Sequence, residues 1–249
     1  MAEETLLFHV SDVHFGAENR TALDWFAAAV AQEKPAAVIC TGDVTQRAKH
    51  SEFAAAREFF GSLGVPVTIE PGNHDMPYYN LWERFTNPYG RFGALERTVE
   101  AQLDLGALAV VPLKTTVRIQ PRFPWSDGYV RDEALAKTLG QLKQARQNHD
   151  YVIVACHHPL VPARHGDKNP TIGGDEAFAA LAGAGADAVL SGHVHHSFDL
   201  IREAAGNGVK VVGAGTLSTR LRGAPPAYNT LLYRQGHGLT VEHRTFSDQ

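Results

Sequence analysis

The chain is poor in cysteine, with two in 249 residues, Cys40 and Cys156, each inside an apolar run. Two thiols cannot build a disulfide framework or a thiolate zinc site, so both read as buried free side chains. An excess of either charge is also missing. Lys plus Arg number 23 and Asp plus Glu 27, a formal net charge of -4. No broad cationic footprint is therefore expected, and extended nucleic acid is not an expected partner. No apolar stretch approaches the roughly 20 residues that cross a bilayer. Met1-Ala2-Glu3-Glu4-Thr5 has neither the basic start nor the apolar run of a secretory signal. These absences predict a cytoplasmic protein with no membrane partner, and they leave the oligomeric state open. With 44% hydrophobic and 20% charged residues, a sizeable core is expected rather than disorder. What the chain has in quantity is histidine, 13 in all.

Apolar β-branched runs alternate with amphipathic ones along most of the sequence. Strands are predicted at 6–10, 36–40, 65–69, 108–113, 152–155 and 188–190. Helices are predicted from Thr21, where Thr21 and Asp24 resemble a capping box, at 51–63, at 77–86, around Leu135, Leu139 and Leu142, and at 175–183. After residue 197 the pattern turns to strands at 198–201, 209–212, 229–233 and 239–244, the last two joined as a hairpin. Pro121, Pro124 and Gly128 mark a long loop over 114–130. With no repeat or linker, 1–249 reads as one α/β domain without a separate capping domain.

Five short polar clusters each follow a predicted strand. They are Ser11-Asp12-Val13-His14, Gly42-Asp43, Gly72-Asn73-His74-Asp75, His157-His158 and Gly192-His193-Val194-His195. Ligands of α/β sheets bind beyond the carboxyl ends of strands, where such loops gather. Asp12 and His14, like His193 and His195, stand two apart, and an extended backbone would turn each pair to one side. The glycines before each group would let the chain turn sharply. Taken singly, each cluster reads equally well as a turn or a cap. Carboxylate, imidazole and amide oxygen without thiolate suit zinc, manganese, iron or cobalt. Asp12, His14, Asp43, Asn73, His157, His193 and His195 exceed the needs of one ion, so two divalent ions sharing a carboxylate are expected.

The ordered set Asp12-x-His14, Gly42-Asp43, Gly72-Asn73-His74-Asp75, His157 and Gly192-His193-x-His195 resembles the calcineurin-like metallophosphoesterases. The resemblance covers residues 6 to about 215. It implies a four-layer αββα sandwich, two mostly mixed β-sheets face to face, with a dinuclear metal centre at the strands' carboxyl ends. Carried over by motif position, Asp12, His14 and His195 would hold one metal and Asn73, His157 and His193 the other, with Asp43 bridging. His74 would be the histidine beside the substrate, with Asp75 behind it as an orienting residue. One departure is Leu113-Lys114-Thr115, where many relatives carry Leu-Asp-Ser or Leu-Asp-Thr. It leaves loop 114–130 without precedent and makes it a candidate cap that sets specificity.

The activity implied is hydrolysis of small phosphodiesters, cyclic nucleotides among them. A phosphomonoesterase or nucleotide pyrophosphatase is the alternative within the family, and a non-catalytic metal-binding module the alternative outside enzymes. Arg47, Arg220 and Arg222 are candidate phosphate partners, since guanidinium suits phosphoryl oxygens; solvated surface charge is the competing reading for each. His158 is divided between a solvent-facing, supporting or substrate-contacting role. Tyr78, Tyr79, Trp82, Phe123 and Trp125 are candidate walls of a substrate cleft. His165 borders the pocket without a metal role, His196 reads as structural, and His9, His50, His149, His237 and His243 have no motif context.

Overall fold

The computed structural model describes residues 4–121, 124–163, 169 and 171–247; Phe123 and His165 lie outside the described residues. Parity along the strands builds the layers. In β1 (Glu4–Val10) and β2 (Ala37–Cys40), Phe8, Val10, Val38 and Cys40 point to one face. There they meet Phe26 and Val30 of α1 (Arg20–Glu33) and Phe53 and Phe60 of α2 (His50–Ser62). Leu7, Ala37 and Ile39 point the other way, against Ile153, Ala155, Ala188, Leu190 and Val212 of a second sheet. The outward residues of that second sheet, Val152, Val154, Val189 and Val211, pack on α5 (Asp132–Ala145) and α6 (Gly174–Gly183) through Leu142, Phe178 and Leu181. The result is helix, sheet, sheet, helix, as expected.

The first sheet runs β12 (Gly238–Thr245), β11 (Ala227–Arg234), β1, β2, β3 (Val67–Ile69). Its β1–β2–β3 part is parallel, and β11 pairs antiparallel to β1 with Leu7 opposite Leu231. The second runs β4 (Leu108–Pro112), β6 (Tyr151–Ala155), β8 (Ala188–Ser191), β10 (Asn207–Gly213), β9 (Phe198–Ala204), parallel except for the β9–β10 hairpin. A small parallel ribbon pairs β5 (Gly128–Tyr129) with β7 (Thr171–Ile172) and closes the end of loop 114–130.

Three local expectations are corrected. Helix α1 starts one residue before Thr21, because the Asn19 side chain accepts from Ala22 N at 3.1 Å and serves as its cap. Residues 77–86 are helical only over α3 (Leu81–Thr86), after a 3-10 turn at Asn73–Asp75. Helix α4 (Gly90–Val99) was not predicted. It carries Gly90 and Gly93 and starts without a side-chain cap, and it is held by Phe92 and Leu95 packing toward α2 and β3.

Candidate metal centre

The loops leaving β1, β2, β3, β6 and β8 are laced together by their backbones. Asp12 N donates to Gly42 O at 2.9 Å, His14 N to Asp43 O at 3.0 Å, and Gly192 N to His157 O at 2.9 Å. The expectation of extended backbone at the paired residues is wrong. Asp12 (φ 53°), His14 (φ 49°), Asp43 (φ 50°), His193 (φ 69°) and His195 (φ 62°) all take the left-handed conformation. That region costs a non-glycine residue free energy and concentrates at functional sites. Gly42 does turn through φ 96°, but Gly72 serves another end: a Cβ there would stand 2.1 Å from the backbone N of Asp43. It lets two site loops touch.

Backbone carbonyls fix the imidazoles. His14 Nδ1 lies 3.3 Å from Thr45 O, His157 Nδ1 2.7 Å from Thr41 O, His195 Nδ1 2.6 Å from Arg220 O and His74 Nδ1 2.7 Å from Gln46 O. A carbonyl only accepts, so each Nδ1 carries a proton, and in its neutral form each ring turns an Nε2 lone pair inward. Those lone pairs meet other acceptors. His195 Nε2 is 3.0 Å from Asp12 Oδ1 and 3.3 Å from His14 Nε2; His157 Nε2 is 3.4 Å from Asp43 Oδ2 and 3.3 Å from Asn73 Oδ1. Asp12 Oδ1 is buried and makes no hydrogen bond among the described residues.

Acceptors crowded on acceptors in a buried place need a cation between them. The residues present therefore fit a metal centre. Ligand atoms of Asp12, His14 and His195, of Asp12, Asp43 and His157, and of His157, His158 and His193 lie within 4.8 Å of one another in each group. Protons can substitute for part of that charge. Burial pushes His157 down, but the Asp43 carboxylate beside it more than reverses this and lifts it to about 9. Burial likewise pushes Asp12 up, and the imidazoles of His14 and His195 outweigh it and hold the carboxyl well below the usual range.

Asp75 sits behind the centre without touching the His74 ring. Its carboxylate accepts from Val44 N (3.1 Å), Thr45 N (2.7 Å), Thr45 Oγ1 (2.9 Å) and Gly72 N (2.9 Å), so it clamps two loops rather than orienting an imidazole. His158 is fully buried, which removes the solvent-facing reading. Thr115 Oγ1 accepts its backbone N–H at 3.1 Å and so donates to Nδ1 at 2.9 Å; Nε2–H then donates to Ser126 O at 2.9 Å. Both nitrogens are engaged, with the tautomer opposite to that of its neighbours, so His158, although close to His157 and His193, is tied to Thr115 and Ser126 in this structure. Arg220 does reach the site: its Nη1 lies 3.1 Å from His14 Nε2 and 3.0 Å from His74 Nε2. Arg47 is exposed, with its guanidinium 5.3 Å from the Tyr79 ring centroid.

Sequence reasoning passed over the carbonyls of Thr41, Thr45 and Gln46, because any residue type supplies a carbonyl. It also set His9 aside. His9 is fully buried, 3.0 Å from Thr41 Oγ1 and 3.2 Å from Asn229 Nδ2, behind the residue whose carbonyl holds His157. A cavity of about 930 Å³ opens elsewhere, between β3–α4 and β4–α5, and no residue of the five polar clusters lines it. Among the described residues no helix is long and apolar enough to cross a membrane.

A sequence model of calcineurin-like phosphoesterases matches residues 6–197, which includes all five loops. The chain belongs to the calcineurin-like phosphoesterase family. Among curated members it is 25% identical over 177 residues to the glycerophosphodiester phosphodiesterase GpdQ of Enterobacter lignolyticus, covering 66% of this chain and 60% of that protein. It is 22% identical over 178 residues to a probable cyclic nucleotide phosphodiesterase of Vesicomyosocius okutanii, covering 70% of this chain and 67% of that one. The chain thus spans about two thirds or less of these relatives. The crystal structure of a dimetal phosphatase from Danio rerio matches with a TM-score of 0.62 over 98% of this chain and 99% of the other. At 12% identity that likeness is one of fold.

Proposed function

We propose that this phosphoesterase hydrolyses small phosphodiesters at a dinuclear metal centre. The observation that carries the reading is the convergence of lone-pair-bearing groups from five loops, with His74 and Arg220 at their margin. Asp12, His14 and His195 would hold one ion, Asn73, His157 and His193 the other, and Asp43 both. Manganese, iron, zinc and cobalt all suit these nitrogen and oxygen donors. When bound, two such ions supply positive charge to phosphoryl oxygens and acidify a water nucleophile.

The protein's own groups do the rest. Gln46 O holds the Nδ1–H of His74, which leaves Nε2 as the nitrogen turned to the substrate, in reach of the departing oxygen. Arg220 adds a fixed positive charge beside it, where alkoxide charge develops. Both curated relatives carry phosphodiesterase names, which supports a diester over a monoester. Turnover of bis(p-nitrophenyl) phosphate and of p-nitrophenyl phosphate, with each of the four metals, tests the reading in wild type and His74→Ala. Faster metal-dependent turnover of the diester, lost in His74→Ala, is expected. Metal-loaded protein that cleaves no phosphoester overturns it.

A further inference from the structure

Two surface segments expose more apolar side chain than solvation requires. Tyr78, Tyr79, Leu81, Trp82 and Phe85 are exposed on and before α3, Trp82 to 79%, and Ile119 and Trp125 are exposed on loop 114–130. Grouped exposed aromatics of this kind mark binding surfaces. Hydrogen bonds and ring contacts join the two segments into one band. It begins beside His74, whose Nδ1 donates to Gln46 O; the next residue, Arg47, lies over the Tyr79 ring. From α3 it crosses to the loop through Arg118 Nη1 to Phe85 O at 2.8 Å and Arg84 Nε to Arg118 O at 3.0 Å. Gln120 Nε2 staples the loop to Pro124 O (3.0 Å) and Asp127 O (2.8 Å). The band ends at Ser126 O, which accepts from His158 Nε2, next to His157. Both ends are therefore anchored at the candidate metal centre.

We propose that this band receives the ester group of the substrate and selects phosphodiesters with a large aromatic or apolar ester over those with a small one. The inference rests on the phosphodiesterase reading. Tyr79, Trp82 and Trp125 offer broad rings for stacking, and Arg47 and Arg118, both exposed, match the charge of an anionic diester. His158 is the positioning residue. Its two ring bonds pin Thr115 and Ser126, and Gly128 packs so closely that a Cβ there would stand 2.6 Å from His158 Cβ.

The test uses metal-loaded full-length protein and two esters with one leaving group, phenyl p-nitrophenyl phosphate and methyl p-nitrophenyl phosphate. Wild type is expected to favour the phenyl ester about tenfold in kcat/KM, through KM. Trp82→Ser and Trp125→Ser should each lower that ratio about threefold, and weaken calorimetric binding of diphenyl phosphate by a similar factor. His158→Ala should lower the ratio through KM, and His158→Gln, whose amide can still donate to Ser126 O, should recover part of it. Equal kcat/KM for both esters in wild type, or variants that slow both equally, overturns the proposal. So does a Trp82→Ser that turns a dimer into a monomer without moving the ratio, since a second copy then covers the band. Metal-loaded protein that cleaves neither ester removes the phosphodiesterase reading instead; diphenyl phosphate binding that Trp125→Ser leaves unchanged then overturns the band as well.

Discussion

Arg220 donates from Nη1 to His74 Nε2 at 3.0 Å, while its own carbonyl accepts the Nδ1–H of His195 at 2.6 Å. Side chain and backbone thus serve different parts of the site. Arg220→Ala removes the guanidinium and keeps the carbonyl. Turnover of a phosphodiester should fall about 10²-fold, the usual effect of deleting one preorganised donor, with metal content unchanged. Arg220→Lys should recover part of the loss, because an ammonium is a point charge without the planar fork. Steady-state kinetics with metal analysis checks this; a variant that loses metal would make Arg220 structural.

Metal should also stabilise the fold. Among the described residues Asp12 Oδ1 has no hydrogen-bond partner, and the inward nitrogens of His157 and His195 meet acceptors. A cation that relieves this binds the folded chain alone. At about 100 times Kd the gain is roughly 2.7 kcal/mol, or some 5–10 °C in Tm for a chain of this size. Differential scanning calorimetry with and without chelator should show that rise in wild type. In Asp43→Ala, which removes the carboxylate lying between the two groups of ligands, the rise should largely vanish.

Much of this was legible in the sequence because the site is written in side chains. Asp12, His14, Asp43, His157, His193 and His195 stand after predicted strands and lie in overlapping groups, with Asn73 Oδ1 3.3 Å from His157 Nε2. The two packed sheets were expected from the family resemblance alone; the structure shows the parity that builds them, with Phe8 and Leu7 on opposite faces of β1. The conformation of the loops was not legible. Left-handed φ at five candidate ligands accompanies the cross-bonded loops, and although Asp and His enter that region more readily than most residues, their occurrence alone does not announce it. Nor was the role of His158, because its tautomer depends on Thr115 and Ser126, both far away in sequence. Helix α4 was hidden by its two glycines and depends on tertiary packing.

Asp75 tests the clamp between the two site loops. Its carboxylate accepts four hydrogen bonds, three from backbone N–H groups of the 44–45 and 72 turns. In Asp75→Asn the amide oxygen can serve one side only, and the NH2 group meets donors on the other. The cost should be roughly 2–4 kcal/mol of stability. Chemical denaturation should report it, together with weaker metal binding as Asp43 and Asn73 lose their mutual placement. Asp75→Asn with full stability and reduced turnover would instead give Asp75 a direct role in the reaction.

Glu70, at the end of β3, is 8% exposed, and no hydrogen bond or ion pair holds its carboxyl among the described residues. Burial, with Glu100 and Glu96 nearby, pushes it well above the ordinary carboxyl range. The unfolded chain releases this proton near pH 4.3, whereas the folded chain keeps it to a higher pH. Between those two values the folded state binds more protons, so stability falls as pH rises, by roughly 1.4 kcal/mol for each unit of separation. Below pH 4 both states hold the proton and the penalty disappears. Glu70→Gln keeps the shape and cannot ionise. Its thermal stability should match wild type near pH 4 and exceed it increasingly toward pH 7. Thermal unfolding of both proteins across that range decides the matter: a difference that stays flat with pH would mean that Glu70 is already ionised in the folded chain.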